Sequence, residues 1–351
     1  MNWGRKLCPT LALLMLVLLA ACSPAGDKPA FSPGARVVLN AHNCYPYEGN
    51  YANRIDRALS TGLPVSIELD LALHRDAASG KTRSVLSHST ETHGDEPSLA
   101  EYFFERVRPI VEQELAQGDA SRWPVIYLHF NFKSTEREHV EHVAKILADY
   151  RTWLSSSIRN AHPSRLEAIE VKPILVMTET DITEKAVFYD DIPVGNRFYV
   201  FGSAPGEQYI PDGTVREKRA SRMVAAKPEE MLAKPADNYR RWWNNSWAVV
   251  EEGGAPLAGD WTKVDAARLE ALVSHAHQLG YLIRFYTLNG HPEAEGDGWG
   301  SSYNFGSLSA ARVRWEASRS AGVDFIASDQ YEALGKVLRG QAGSSARGGT
   351  H

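Results

Sequence analysis

The feature that most constrains the fold is a series of eight apolar, β-branched runs separated by helical patterns. Continuous apolar runs are typical of parallel strands that are covered on both faces, whereas a strand with one face in water alternates apolar and polar residues. Helices between the runs are what parallel strands need, because the chain must cross back before each new strand. The runs cover 36–40, 65–73, 125–132, 173–179, 197–203, 247–250, 282–289 and 324–328.

The number of runs decides between two parallel architectures. Eight parallel strands close into a (β/α)₈ barrel. An open doubly wound sheet would carry a glycine fingerprint after its first strand, and the sequence has none there. We therefore predict an α/β protein with a single (β/α)₈ TIM-type barrel over residues 36–339, least regular in its middle third. Helical patterns over 51–62, 98–115, 264–280 and 309–322 support it.

The first residues have the pattern of a secretory leader. A basic "MNWGRK" precedes the apolar "LALLMLVLLA", and "LAAC" follows and ends at Cys22. This order indicates a bacterial lipoprotein signal, and the apolar stretch is shorter than the ~20 residues of a spanning helix. We predict a signal peptide over 1–21, lipidation of Cys22, a tether over 22–35 and a disordered tail over 340–351. The mature protein would be anchored in the cell envelope, in the outer membrane facing the periplasm, or exported.

Charge and cysteine content exclude other classes. The formal net charge is -5, without the basic surplus that nucleic acid binding requires. Of the three cysteines, Cys8 lies in the leader and Cys22 receives lipid, so no internal disulfide can form. We interpret the remaining Cys44 as a small apolar filler, since no base for a nucleophilic thiol is apparent.

Polar side chains follow or end many of the predicted strands, at the face where barrel enzymes place their chemistry. Each one alone has a packing explanation. Their concentration in the first three strands does not, because barrel interiors favour branched apolar residues. In chain order these residues are His42, Asn43, Glu68, Asp70, His88, Asn131, Lys133, Glu179, Arg284, Asn289 and Asp329.

Four of these residues offer oxygen ligands. Glu68 and Asp70 stand two positions apart and share one face of their strand. Together with Asn43 and Asn131 they suit a hard divalent cation, Ca²⁺ or Mg²⁺, better than zinc. Such a cation would neutralise a phosphate group and lower the pKa of an attacking oxygen.

The remaining candidates suit proton transfer and phosphate binding. His42 and His88 are the residue type that exchanges protons near neutral pH. Lys133 and Arg284 are candidates for holding a phosphate oxygen. The chemistry that this set favours is phosphodiester cleavage.

The same residues carry a resemblance to a known family. "AHN", "IELD" and "LSH" occur in the order and at the spacing of the PI-PLC-like phosphodiesterase superfamily, which includes phosphatidylinositol-specific phospholipases C and glycerophosphodiester phosphodiesterases. The closing "AGVDFIASDQY" resembles the glycerophosphodiesterase branch. The resemblance implies a TIM-type barrel, a Ca²⁺ or Mg²⁺ site bound by Asn43, Glu68 and Asp70, and His42 with His88 as general base and acid. One departure is "NFK", where Asn131 replaces a carboxylate.

We therefore predict a metal-dependent phosphoric diester hydrolase that acts on a phospholipid, a lysophospholipid or a deacylated glycerophosphodiester. A zinc hydrolase that uses His129 is a weaker hypothesis, because the H-E-x-x-H spacing of zinc ligands is absent. The alternative from another class is an inactive barrel lipoprotein that binds a carbohydrate through aromatic stacking. Its candidate residues are Trp242, Trp243, Trp247, Trp261 and Trp299.

The lipoprotein signal yields the first prediction. Cys22→Ala should leave the protein without lipid and absent from the membrane fraction, because the thiol is the acceptor of the lipid. Cell fractionation and mass spectrometry of the purified chain measure both. Cys8→Ala, which changes the other cysteine of this region, should be lipidated normally. A Cys22→Ala protein that still carries lipid would contradict the assignment.

Overall fold

Eight parallel strands close into a barrel in the computed structural model, which describes Met1 and residues 31–47, 51–205, 216–292 and 303–340, without the side chains of Arg216 and Glu217. The predicted signal peptide, Cys22 and almost all of the predicted tail lie outside the described residues. The strands of the described part are β1 (Val38–Ala41), β2 (Val65–Arg75), β3 (Thr82–Leu86), β4 (Ile126–Phe132), β5 (Ser156–Ile158), β6 (Ile169–Glu170), β7 (Ile174–Thr178), β8 (Arg197–Phe198), β9 (Val200–Ser203), β10 (Arg240–Ser246), β11 (Leu282–Tyr286) and β12 (Phe325–Ser328).

Helices alternate with these strands. Within the described residues they are α1 (Arg54–Ser60), α2 (Glu105–Gln117), α3 (Arg137–Asp149), α4 (Ile182–Lys185), α5 (Arg216–Ala225), α6 (Pro228–Met231), α7 (Lys263–Gln278), α8 (Leu308–Ala321) and α9 (Tyr331–Leu338). The four helical patterns read from the sequence correspond to α1, α2, α7 and α8. No helix of the described ranges is long and apolar enough to cross a bilayer.

The order of the strands defines the barrel. Around it the strands run β1, β12, β11, β10, β9, β7, β4 and β2, all parallel, and β2 pairs again with β1 through Asn40–Ser66 and Ala41–Ile67. The strand β3 adds an antiparallel hairpin to the far end of β2. The strands β5, β6 and β8 form a separate small sheet. The TIM-type barrel predicted from the sequence is thereby confirmed.

Burial explains why these segments became strands. Every residue of β1, β7, β9 and β12 is buried, as expected for strands with side chains in the barrel on one face and helices on the other. The β2 strand is buried from Val65 to Ala72 and becomes exposed where it leaves the barrel as a hairpin.

The sixth strand was predicted in the wrong place. The run at 247–250 is not a strand: Trp247–Val249 form a short 3₁₀ turn that begins at Ser246, whose side chain accepts a hydrogen bond from the Ala248 N–H. The barrel strand is the preceding β10, with the sequence "RRWWNNS". Its arginines and asparagines interrupt the apolar pattern that identifies the other strands. Arg241 donates to the Glu167 carbonyl and Asn244 to Glu179, while Trp242 and Trp243 are fully buried.

Candidate active site

A polar pocket of about 530 Å³ opens at the carboxyl ends of the barrel strands. It brings together eight of the eleven polar residues noted in the sequence, which lie on or just after six different strands. Asp70 lies directly behind the lining, fully buried, and contacts two lining residues. The lining consists of His42, Asn43, Glu68, His88, Asn131, Lys133, Glu179, Asn244, Arg284, Tyr286 and Tyr303.

A sharp turn after β1 places the first two of these residues. The His42 N–H still donates to the Ser328 carbonyl, at 3.2 Å, so the backbone follows the barrel to this point. Asn43 then adopts a positive φ of 50°, in the left-handed region that asparagine tolerates better than most residues. The Cys44 N–H returns to the Glu68 carbonyl at 2.9 Å. Both side chains are thereby held over the pocket.

His42 is paired with a carboxylate from the last strand end. Its Nδ1 lies 2.9 Å from Oδ1 of Asp329, and the second oxygen of Asp329 accepts from Asn289 at 2.6 Å. Burial lowers the pKa of His42, but the charges of Asp329 and Glu68 outweigh it, so that the pKa is raised above its ordinary value. Burial would raise the pKa of Asp329, yet His42 and Arg54 hold it below the usual range. An ionised Asp329 fixes Nδ1 of His42 as the donor and leaves Nε2 for a ligand.

His88 has the same arrangement with a different carboxylate. Its Nδ1 lies 2.7 Å from Oδ2 of Asp70, and the Tyr45 hydroxyl lies 2.6 Å from the same oxygen. Lys133 Nζ is 2.9 Å from it as well. Burial alone would raise the pKa of Asp70, but the bonds from His88, Lys133 and Tyr45 lower it. The His88 side chain is 49% exposed, so this imidazole stands at the rim of the pocket.

Glu68 and Arg284 form the floor of the pocket. Arg284 Nη2 bonds to Oε2 of Glu68, Nη1 donates to Asn244 at 2.9 Å, and Nε donates to Asn40 at 2.8 Å. Burial would raise the pKa of Glu68, but the charge of Arg284 lowers it. Because these three nitrogens already bond within the protein, Arg284 acts on a ligand mainly through its charge.

A carboxylate not predicted as a site residue completes the floor. Oε1 of Glu179 accepts from Asn244 at 2.9 Å and lies 2.9 Å from Nε2 of His129. His129 is fully buried, and its Nδ1 is 3.9 Å from Glu68. Hydrogen bonds therefore link Glu68, Arg284, Asn244, Glu179 and His129 in one chain, and Nδ1 of His129 has no hydrogen-bond partner among the described residues.

The predicted Ca²⁺ or Mg²⁺ ligands do not form an open cation site. Asp70 is bound to the ammonium of Lys133, and Glu68 is bound to the guanidinium of Arg284. Oδ1 of Asn43 lies 2.9 Å from the Tyr45 hydroxyl. Within the described ranges no group of three or more His, Cys, Asp and Glu side chains is placed to hold a metal ion. A Ca²⁺ or Mg²⁺ ion would therefore have to displace Lys133 and Arg284 from these carboxylates, and the predicted metal site stays a prediction.

The sequence reasoning missed several residues of this site. Asp329 was noted at a strand end, but its pairing with His42 was not predicted. Asn244 was missed because β10 was placed after it, at 247–250. Tyr45 and Tyr303 lie outside the strands, and no local pattern indicates where such loops bring their side chains. Glu179 was visible at the end of its strand without an assigned role.

Burial removes three of the five tryptophans from the carbohydrate-binding alternative. Trp242, Trp243 and Trp247 are core residues, at most 1% exposed, and Trp247 stacks on the partly buried Trp261 at 5.9 Å between ring centroids. Trp299 lies outside the described residues. The Cys44 thiol is also buried, which raises its pKa to about 12, as expected for a filler rather than a nucleophile.

No family model and no curated protein sequence matches the chain. Solved structures similar to it include a glycerophosphodiester phosphodiesterase from Parabacteroides distasonis ATCC 8503, with 12% identity, a TM-score of 0.41, and coverage of 87% of this chain and 98% of the other. A putative glycerophosphoryl diester phosphodiesterase from Silicibacter pomeroyi DSS-3 has 12% identity, a TM-score of 0.39, and coverage of 87% and 93%. An HPPK-DHPS from Plasmodium falciparum has 10% identity, a TM-score of 0.40, and coverage of 88% and 48%. Similarity at this level assigns neither a family nor a function to the chain. A function has to be argued from the residues of the site.

The pairing of His42 with Asp329 can be tested by titration. Asp329→Asn should lower the pKa of His42, because it removes the carboxylate whose charge raises that pKa. Histidine-selective NMR across pH 5–9 measures the change, with His42→Asn used to assign the resonance. Asp70→Asn is the matched control, since Asp70 contacts His88 and should leave the His42 titration in place. An unchanged His42 titration in Asp329→Asn would refute the pairing.

Proposed function

We propose that this protein is a phosphodiesterase in which His42 and His88 act as general base and general acid. The observation that supports this most is that two imidazoles line one pocket and that each is bound through Nδ1 to a buried carboxylate, Asp329 or Asp70. Such a bond fixes the ring orientation and stabilises the imidazolium that forms when Nε2 accepts a proton. A histidine that serves only packing does not require a buried carboxylate on Nδ1, and here two histidines of one pocket each have one.

The division of roles follows from position. His42 is buried deep in the pocket, where its Nε2 can take the proton of an attacking oxygen, either water or a hydroxyl of the substrate. The oxygen then bonds to phosphorus, and the bond from phosphorus to the leaving oxygen breaks. His88 at the rim gives a proton to that leaving oxygen, which departs toward solvent. After this step His42 carries the added proton and His88 has lost one, so His42 releases its proton to solvent and His88 takes one from solvent before the next turnover.

Fixed cations of the chain balance the phosphate charge. Lys133 presents an ammonium group at the pocket wall, and Arg284 lies in its floor. Charges that are in place before the substrate arrives stabilise the developing negative charge without reorganisation. In a pocket partly shielded from water their effect is larger than at an exposed surface.

The cellular setting is part of the proposal. The lipoprotein signal ending at Cys22 supports an enzyme that is lipid-anchored in the bacterial cell envelope. Its substrates would be a phospholipid, a lysophospholipid or a deacylated glycerophosphodiester. All three carry the phosphodiester group that the pocket would bind.

Replacement of either histidine tests the mechanism. His42→Asn and His88→Asn should each lower kcat on a generic chromogenic phosphodiester by on the order of 10²-fold or more, the scale of a lost general acid or base. The melting temperature should stay near that of the parent in His88→Asn, because this side chain is 49% exposed. It should fall in His42→Asn, because the buried Asp329 loses its partner, so kcat is compared in folded protein. His142→Asn, on α3, is the control and should keep full activity. A lowered melting temperature with normal kcat would assign the histidines to packing.

The double variant tests whether the histidines act together. The loss in His42→Asn/His88→Asn should be much smaller than the product of the two single losses, because each proton transfer has value only when the other occurs. Initial rates of all four proteins under the same conditions measure the coupling. Fully multiplicative losses would mean that the two residues act independently.

Chelation tests the predicted Ca²⁺ or Mg²⁺. Because Lys133 and Arg284 already occupy the two predicted carboxylate ligands, we expect activity to survive exhaustive treatment with EDTA. Initial rates before chelation, after it, and after addition of each cation decide the matter. Loss of activity with restoration by one cation would show that the cation displaces these side chains and would establish the metal dependence predicted from the sequence.

A further inference from the structure

The chain that precedes β1 lies across the barrel face opposite to the pocket. The Gly34 N–H donates to Oδ1 of Asp324 at 2.8 Å, and Asp324 comes directly before β12. The other oxygen of Asp324 accepts from the Ile283 N–H at 2.9 Å, near the start of β11. Because all eight strands are parallel, residues at strand starts lie at one end of the barrel and the pocket lies at the other.

Further contacts hold this segment in place. Arg36 donates to the carbonyls of Ser121 and Pro124, in the loop that precedes β4. Phe31 packs against Phe201 of β9, with 6.4 Å between the rings. The segment therefore touches strand starts or lower strand residues on different sides of the barrel. Phe31, where this described range begins, therefore lies on the same side of the barrel.

Close packing at Gly34 makes the attachment firm. Gly34 has a φ of +71°, and a side-chain Cβ at this position would lie 3.0 Å from the ring of His277. His277 in turn lies 2.8 Å from the second oxygen of Asp324 through Nε2. A glycine is required here, and the backbone is bound to the barrel rather than laid loosely on it.

The tether is short compared with the barrel. Nine residue steps separate Cys22 from Phe31, and they span at most about 32 Å when fully extended. A domain of about 300 residues has a radius of gyration of about 19 Å, which corresponds to a sphere of about 25 Å radius. For the pocket to face the bilayer, the chain would have to pass round the sphere over roughly 64 Å. The tether reaches about half of that.

We propose that the lipid anchor holds the barrel by the face opposite to its catalytic pocket, so that the enzyme cleaves phosphodiesters arriving from outside the anchoring bilayer and not the headgroups of that bilayer. This inference rests on the proposed phosphodiesterase function and on lipidation at Cys22. Even with the barrel on its side, the pocket stays about 25 Å from the membrane surface. The substrate then comes through water, either free in solution or displayed on another membrane.

A substrate displayed on another membrane must be included because the pocket side of the barrel is not wholly polar. Ile182, Leu257 and Val264 follow strand ends on this side and are 75–81% exposed. Single exposed apolar residues are common on soluble surfaces and identify no partner by themselves. An experiment must therefore offer the phosphodiester in solution, in the anchoring vesicle and in a second vesicle.

Orientation can be measured without any turnover. The full lipidated chain is labelled at Ala77→Cys, in the turn between β2 and β3 on the pocket side, or at Ala120→Cys, on the opposite face; both positions are exposed. Cys44 is buried and should not react. In vesicles with an acceptor dye on the lipids, energy transfer should be clearly stronger from position 120 than from position 77. Equal or reversed transfer, or a purified chain without lipid at Cys22, would overturn the proposal.

The second part of the experiment measures turnover. Anchored protein should cleave a soluble glycerophosphodiester or a radiolabelled phospholipid in added vesicles, but should cleave the same phospholipid in its own vesicle at least about tenfold more slowly. The matched variant carries about 40 Gly and Ser residues after Ala25, which lets the pocket reach the bilayer. This variant should gain cleavage in its own vesicle with unchanged rates on the soluble substrate. If the protein with its native tether cleaved phospholipid equally fast in its own vesicle and in added vesicles, the inference would be refuted. If no substrate were cleaved but the energy-transfer result held, only the phosphodiesterase assignment would be refuted.

Discussion

The site depends on three buried carboxylates, Glu68, Asp70 and Asp329, at neighbouring strand ends. An ion taken out of water costs several kcal/mol, and the cost is offset only by close partners with good geometry. Each carboxylate has such partners: Arg284 for Glu68, Lys133 and His88 for Asp70, His42 for Asp329. The positions of the two histidines are therefore set by a requirement of folding before any substrate is present.

Because these ion pairs also stabilise the fold, a substitution in one of them changes stability as well as the site. Removing one partner of a buried ion pair leaves a charge without compensation, which typically costs about 3–5 kcal/mol. In the proposed enzyme Arg284 and Lys133 would combine two functions, since each neutralises a carboxylate of the chain and would offer positive charge to a phosphate. The histidines differ from them, because an imidazole can become neutral where an arginine cannot. Loss of activity after changes at Arg284 would for this reason reflect folding as well as chemistry.

The sequence predicted the barrel and most of the pocket lining, and the reason is geometric. Polar residues that end parallel strands must meet at one face, so His42, Glu68, Lys133 and Arg284 could be brought together without knowledge of the pairing. Which carboxylate binds which cation could not be predicted, because that depends on barrel closure between β1 and β12. The same limit applies to Asn244: its strand lacks the apolar run that identifies the others. Two of its polar residues, Arg241 and Asn244, bond to the distant Glu167 and Glu179.

Strand direction also affects how far the pocket would lie from the membrane in the proposed enzyme. In a parallel barrel the first strand must be entered at the face opposite to the catalytic one, so an N-terminal anchor is always attached at the far side. If the chain is anchored at Cys22 as proposed, the distance from pocket to bilayer depends on tether length, and the contacts of Gly34, Arg36 and Phe31 limit the free tether to the residues before Phe31. If these contacts were absent, six more residues would be free, adding at most about 22 Å. The reach would then be about 54 Å, still short of the roughly 64 Å path to the pocket face. The contacts at the barrel base therefore matter for the proposed orientation, because they cut the reach from most of that path to about half of it.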